Sequence, residues 1–336
     1  MSNYRVLLLG IGFFGEQWLD VIGRNPDCTV AGAAGKKSEF EAIEKKKGVK
    51  FDFPTFENYK EAIDTIDADI MVCVLPTVLH SDAAKRALNK GMHVLSEKPL
   101  SFSVEDAIGL VEYKRKFAEK QYIVDQNYRW RPYTRTIKRL MDEGFLGAVN
   151  RINLHFNRPE MLVGYRGGLE MPFLQDVSIH HFDLLRYFTS SDCERIYCVS
   201  YRDPWSEYSG KASTEAIITM SNGVTVNYTG TWSGRGPETP WDGVFNIMGE
   251  KGCLFLNEKS EVVFYDAASQ TTRLVPNDDI QLTEMDHCLD ICVRAIRGTA
   301  KPETDIEDNV KSFLMVCAAE KSVRESRPVD MKEILS

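Results

Sequence analysis

A chain of 336 residues with 43% hydrophobic content can bury more than one core, and two domains are expected. Its 49 acidic residues outweigh 41 basic ones, the net charge is -8, and Lys and Arg are scattered along the chain, so no nucleic-acid partner is expected. No apolar stretch approaches the roughly 20 residues a bilayer demands, and eight cysteines without a Cys-x-x-Cys pair read as reduced core residues of a cytoplasmic protein rather than a disulfide frame or zinc site.

The opening VLLLGIGFFG reads as a buried strand and a turn. From Tyr4 to about Asp125, short apolar runs (YRVLLLG, CTVAGAA, DIMVCVL, MHVLSEK, YIVDQN) alternate with amphipathic ones, the rhythm of a parallel sheet covered on both faces. Residues 1–126 are therefore expected to form a doubly wound domain. After NYRWRP the rhythm changes: a helix near 134–143, the strand VNRINLHF and a helix near 173–188 precede strand-like segments without long helices between them. These predict an α/β domain over 127–336 with a large, mostly antiparallel open sheet. Two terminal helices, near 282–297 and 306–326, can pack back on either domain.

The segment Gly10, Ile11, Gly12, Phe13, Phe14, Gly15 fits G-x-G-x-x-G directly after a predicted strand and at the start of a predicted helix. Such glycines allow a tight turn, close approach of backbone to a pyrophosphate, and packing of helix on strand. The acid that would accept bonds from an adenosine ribose, expected about 20 residues on, is missing. Gly35, Lys36 and Lys37 stand there instead, which favours NADP and leaves NAD as the alternative. Next, Glu97 and Lys98 precede Pro99 at the end of a predicted strand, where a lysine can stabilise alkoxide character on a substrate oxygen. In FLQDVSIHHFDLLRYF, Asp176, His180 and Asp183 share one face of the predicted helix. A histidine so placed suits proton transfer near neutral pH; a hydrogen-bonded structural face and a metal site are the other readings of the same spacing.

Taken together, GIGFFG, LPTVLHSDAAKRALNKGMHVLSEKPL, NYRWRP, GGLEMPFLQDVSIHHFDLLRYF and the ending KPETDIEDNVKSFLMVCAAEKSVRESRPVDM resemble the Gfo/Idh/MocA oxidoreductases across nearly the whole chain. The resemblance implies a Rossmann domain and a second α/β domain whose sheet mediates formation of a homodimer or homotetramer. It also implies that Lys98 polarises the substrate, His180 is general acid and base, and Asp176 binds substrate beside it. Leu75, Pro76, Thr77 and His80 would line the cofactor edge, and Asn127 and Arg129 would stand near nicotinamide and substrate. Ser178 occupies a position often held by Gly.

The implied activity is metal-free hydride transfer to or from a hydroxyl or keto carbon of a sugar, sugar derivative or inositol-like polyol. The alternatives are a cofactor-retaining glycoside hydrolase or eliminase and a non-catalytic dinucleotide sensor. Trp232 and Arg235, with Trp205 and Trp241 close by in sequence, can face a sugar ring or fill the sheet and its interface. His155 and His287 read as structural.

Overall fold

Val6, Leu7, Leu8 and Leu9 have no exposed surface, as befits a strand covered on both faces, and they make up most of β1 (Tyr4–Leu9). The computed structural model describes residues 3–162 and 164–335. From β1 the chain continues through α1 (Phe13–Arg24), β2 (Cys28–Ala34), α2 (Lys37–Lys47), β3 (Thr55–Phe56), α3 (Tyr59–Thr65), β4 (Ile70–Cys73), α4 (His80–Asn89), β5 (His93–Ser96), α5 (Val104–Arg115) and β6 (Tyr122–Val124). All pairings are parallel, in the order β3-β2-β1-β4-β5-β6, so the winding reverses between β1 and β4. Open α/β sheets bind ligands outside the carboxyl ends of the strands at such a reversal. The sequence pattern did not announce β3, which has only two residues and follows Pro54.

These elements, up to Asn127, form one unit together with Leu282–Val310. A helix over Glu284–Ile296 buries Cys288, Leu289 and Cys292 in it, Asp286 accepts from Arg24 at 2.8 Å, and Arg297 pairs with Asp27 at 2.7 Å. Asp305 bridges to Ile123 beside β6.

The second unit comprises Tyr128–Gln281 and the segment from Lys311. It contains α6 (Pro132–Asp142), β7 (Val149–Asn157), α7 (Pro172–Asp176), α8 (Ser178–Thr189), β8 (Cys193–Tyr201), β9 (Ser213–Met220), β10 (Thr225–Thr231), β11 (Val244–Gly249), β12 (Gly252–Leu256), β13 (Val262–Asp266), β14 (Thr271–Val275) and β15 (Val329–Asp330). The nine-stranded sheet runs β14-β13-β12-β11-β7-β10-β9-β8-β15, antiparallel throughout except between β7 and β10. Every residue of α8 is buried, polar ones included, so each polar side chain there needs a partner inside the protein.

The single helix expected near 173–188 is divided at Val177 into α7 and α8. The Ser178 hydroxyl donates to the Phe173 carbonyl at 3.3 Å and accepts from the Tyr228 hydroxyl at 2.8 Å, while the His180 amide turns to the Val177 carbonyl at 3.0 Å. A hydroxyl that competes for helix carbonyls bends or interrupts the ladder. Among the described residues no helix is long and apolar enough to cross a membrane. The cysteines are free thiols, seven of the eight buried, and burial pushes that of Cys73 up to about 12.

Candidate active site

At the carboxyl end of β1 the three glycines of the loop answer to different constraints. Gly10 adopts φ +95°, and a Cβ there would lie 2.4 Å from the Val74 carbonyl oxygen; at Gly15 it would lie 2.2 Å from the Gly10 oxygen. At Gly12 it would meet only Glu39 Oε1 at 4.0 Å, so the protein's own packing does not require glycine there. The space it leaves fits a group brought from outside, as a dinucleotide pyrophosphate would be. Ile11 is buried and abuts Gly35, whereas Phe13 and Phe14 stand exposed, edge to face at 5.2 Å. The exposed Lys36 caps α2, and its amide and that of Lys37 donate to the carboxylates of Glu39 and Glu57 at 3.1 and 3.2 Å. Glu39, in the first turn of α2, comes back toward Gly12, a carboxylate that counting residues along β2 does not find.

Lys98 follows β5 on the same edge of the sheet, before a cis peptide to Pro99. His80, expected to line the cofactor edge, is instead 1% exposed, with Nε2 2.7 Å from the Leu75 oxygen and Nδ1 3.0 Å from the Pro99 oxygen. It lies between the Leu75–Pro76–Thr77 loop and the Glu97–Pro99 turn; burial lowers its pKa, and the neutral ring donates to one of the two carbonyls. Asn127 Oδ1 is buried with no hydrogen-bond partner, an acceptor that suits an amide donor from a ligand.

Glu97 accepts from Trp18 Nε1 at 3.0 Å, and on the neighbouring strand Asp125, 1% exposed, donates its amide to Ser96. Burial first, then the charge of Glu97, holds the Asp125 carboxyl well above the usual carboxylate range, and burial raises Glu97 as well. A carboxyl whose folded pKa is raised binds more protons in the native state, so stability falls as pH climbs from the unfolded value of about 4 toward the folded one. Asp125→Asn, neutral at every pH, should therefore gain Tm relative to the parent more at pH 8 than at pH 5. Thermal melts giving the same difference at both pH values would remove the carboxyl pair from this account.

In the second unit Asp176 ends α7 and accepts from Arg166 Nη1 at 3.3 Å. His180 lies in the first turn of α8, 6% exposed, with its ring stacked on Tyr128. Asp183 is engaged inside the unit. It takes a bidentate bond from Arg129, Nε to Oδ2 at 2.6 Å and Nη2 to Oδ1 at 2.7 Å, with the Ser312 hydroxyl on Oδ1 at 2.8 Å. Arg129, at 4% exposure, is thus committed inside the unit through Nε and Nη2. His181 lies between the Tyr228 hydroxyl and the Trp241 carbonyl, and burial pushes it down to about 4, so it is neutral.

Trp232 also departs from the expectation of a sugar-stacking face: it is 2% exposed and wedged among Phe156, Phe173 and Trp241. Its edge still lines a cavity of about 180 Å³ with Trp205, Tyr208, Glu160, Glu207 and Arg235, whose guanidinium lies 5.1 Å from the Trp205 ring. Trp205, nearly half exposed, presents the open aromatic surface.

Residues 4–126 match the model of an oxidoreductase family with NAD-binding Rossmann fold, and residues 134–255 match the GFO/IDH/MocA C-terminal domain. The chain belongs to the Gfo/Idh/MocA oxidoreductase family. The uncharacterized protein y4oX of Sinorhizobium fredii is 25% identical over 99% of this chain and 97% of its own. Myo-inositol 2-dehydrogenase of Thermotoga maritima is 22% identical over 98% of this chain and 99% of its own. Among solved structures, an oxidoreductase from Agrobacterium radiobacter in complex with NAD+, L-tartaric acid and magnesium shares the fold with a TM-score of 0.87 at 17% identity, covering 99% of this chain and all of that one.

Proposed function

We propose that this Gfo/Idh/MocA protein moves a hydride between a nicotinamide dinucleotide and a hydroxyl or keto carbon of a sugar, sugar derivative or inositol-like polyol. The observation that carries the reading is that the glycine loop and Lys98 stand on the same carboxyl edge of one parallel sheet, Gly10 against Val74 and Lys98 directly after β5. The dinucleotide, when bound, supplies the hydride acceptor or donor. Gly10, Gly12 and Gly15 would hold its pyrophosphate, Leu75, Pro76 and Thr77 its edge, and Asn127 and Glu97 its nicotinamide end. Lys98 would bind the substrate oxygen through its ammonium and favour alkoxide character as the C–H bond breaks. His180 would take the hydroxyl proton in oxidation and return it in reduction, with Asp176 binding a neighbouring hydroxyl. Arg235 and Trp205 offer a further polar and aromatic contact for a carbohydrate.

NADP is the proposed cofactor, because two exposed lysines and no acid stand directly after β2. Glu39 opposes that choice with its negative charge near Gly12. Fluorescence titration should show NADPH binding more tightly than NADH, and neutralising Lys36 and Lys37 together should weaken NADPH about 5- to 20-fold while sparing NADH. Glu39→Gln should act in the opposite direction on NADPH. Binding of neither nucleotide would sink the dinucleotide assignment. A screen of sugars and polyols at the nicotinamide absorbance band then tests the chemistry; binding without net redox turnover would favour the hydrolase, eliminase or sensor readings.

The sheet of the second unit bears Tyr197, Val199 and Tyr201 of β8 and Ile217 of β9 exposed on one face, with Tyr197 directly opposite Ile217. Apolar side chains so gathered on an open sheet support assembly into a homodimer or homotetramer through that face.

A further inference from the structure

The imidazole of His180 lies on the ring of Tyr128 with centroids 4.1 Å apart and planes inclined by 14°. The Arg131 guanidinium carbon is 3.9 Å from the centroid of the same ring. Two flat groups centred this close to one centroid have no room on the same face, so they sandwich Tyr128, cation on one side and imidazole on the other. The cation is fixed in turn: Arg131 Nη1 reaches Asp242 Oδ2 at 2.6 Å, and the Tyr133 hydroxyl donates to the same oxygen at 2.5 Å. Asp242 is fully buried, and Tyr128 is 9% exposed.

We infer that Tyr128 and Arg131 are positioning residues for His180, the ring setting the plane of the imidazole and the guanidinium behind it opposing a second positive charge. This inference rests on the reading of His180 as the acid–base group. A neutral imidazole stacks on a phenol ring at no electrostatic cost. An imidazolium would have to share the ring's π-face density with a cation already placed on the other side. The separation of the two charges, roughly 8 Å across a dry ring, is short enough for that repulsion to matter. On the helices that carry His180 and precede it, Asp176 at the end of α7 is paired with Arg166, and Asp183 and His181 stand on α8. Asp183 is paired with Arg129 and His181 is neutral, while Asp242 is the counter-ion of Arg131. Arg131 is thus the cation that the stack places directly behind the imidazole.

The test needs no substrate. Histidine labelled with carbon-13 at Cε1 is titrated by NMR in the full chain, with His180→Gln identifying the resonance. Arg131→Met should raise the His180 pKa by about one unit, since it removes the cation and leaves Asp242 unbalanced, and Arg131→Lys should restore most of the difference. Tyr128→Leu should move the Cε1 resonance downfield by removing the ring above it, and Tyr128→Phe should restore it. Urea denaturation followed by circular dichroism accompanies each variant as a folding control. An unshifted titration in Arg131→Met, or a Tyr128→Leu resonance equal to that of Tyr128→Phe, would overturn the inference. Should all four variants behave as stated while no sugar or polyol is turned over, the stack stands and the hydride-transfer reading fails on its own.

Discussion

Lys98→Ala and His180→Ala are each expected to lower kcat by about 10²- to 10⁴-fold on the substrate found in the polyol screen, while NADPH binds as before. The two losses should differ in kind. Removing the Lys98 ammonium withdraws the charge that steadies a developing alkoxide, and the deficit should persist at every pH. Removing His180 withdraws the proton acceptor, so the limb of the kcat profile that reports its ionisation should flatten, and small imidazole-like bases should return part of the rate. Steady-state kinetics across pH, beside fluorescence titration of cofactor, separate these patterns. Parental rates in both variants would show that the chemistry is carried elsewhere.

Asp183→Ala is expected to destabilise the second unit by about 3–5 kcal/mol, because it leaves Arg129 charged and buried without its carboxylate. The loss extends beyond the pair. Ser312 donates to Asp183 and accepts from Arg186 at 2.8 Å, and Arg186 in turn holds Asp192, so the deletion unsettles a chain of partners. Urea denaturation of the whole chain measures the cost. Replacing both partners by apolar residues of similar volume, as in R129M with D183L, should recover much of it, since neither member of the pair is then left as a buried charge without its partner. If Asp183→Ala unfolds at the parental urea midpoint, the ion pair does not hold the unit together.

The centre of the parallel sheet was legible because β1 and β4 each carry a run of four apolar residues bounded by turns, a signal that needs no tertiary context. The glycine loop and Lys98 were legible for the same reason, since both sit at strand ends. What escaped were features set by partners distant in sequence. Helical spacing put Asp176, His180 and Asp183 on one face, yet it carried no information that Arg129, 54 residues upstream of Asp183, would take Asp183 away from that face. The break at Val177 depends on a hydroxyl of Tyr228 that meets Ser178 only once β10 lies beneath α8. Trp232 could face a sugar ring or fill the sheet, and sequence alone did not choose; the ring turns inward onto Phe156 and Phe173. Glu39 was hidden by a rule that counts residues along a strand, when a carboxylate one turn into the next helix can reach back to the same place.

The helix over Glu284–Ile296 gives the first unit an awkward birth. Its remaining elements leave the ribosome before residue 128, but this helix follows only after 128–281 have been made, a delay of roughly 8 to 30 s at about 5–20 residues per second. Throughout that interval the surface destined for Cys288, Leu289 and Cys292 is bare, and the nascent sheet carries an uncovered apolar flank. A fragment ending at Asn127 would keep that flank permanently, so it should precipitate or recruit chaperones instead of serving as a portable nucleotide-binding module.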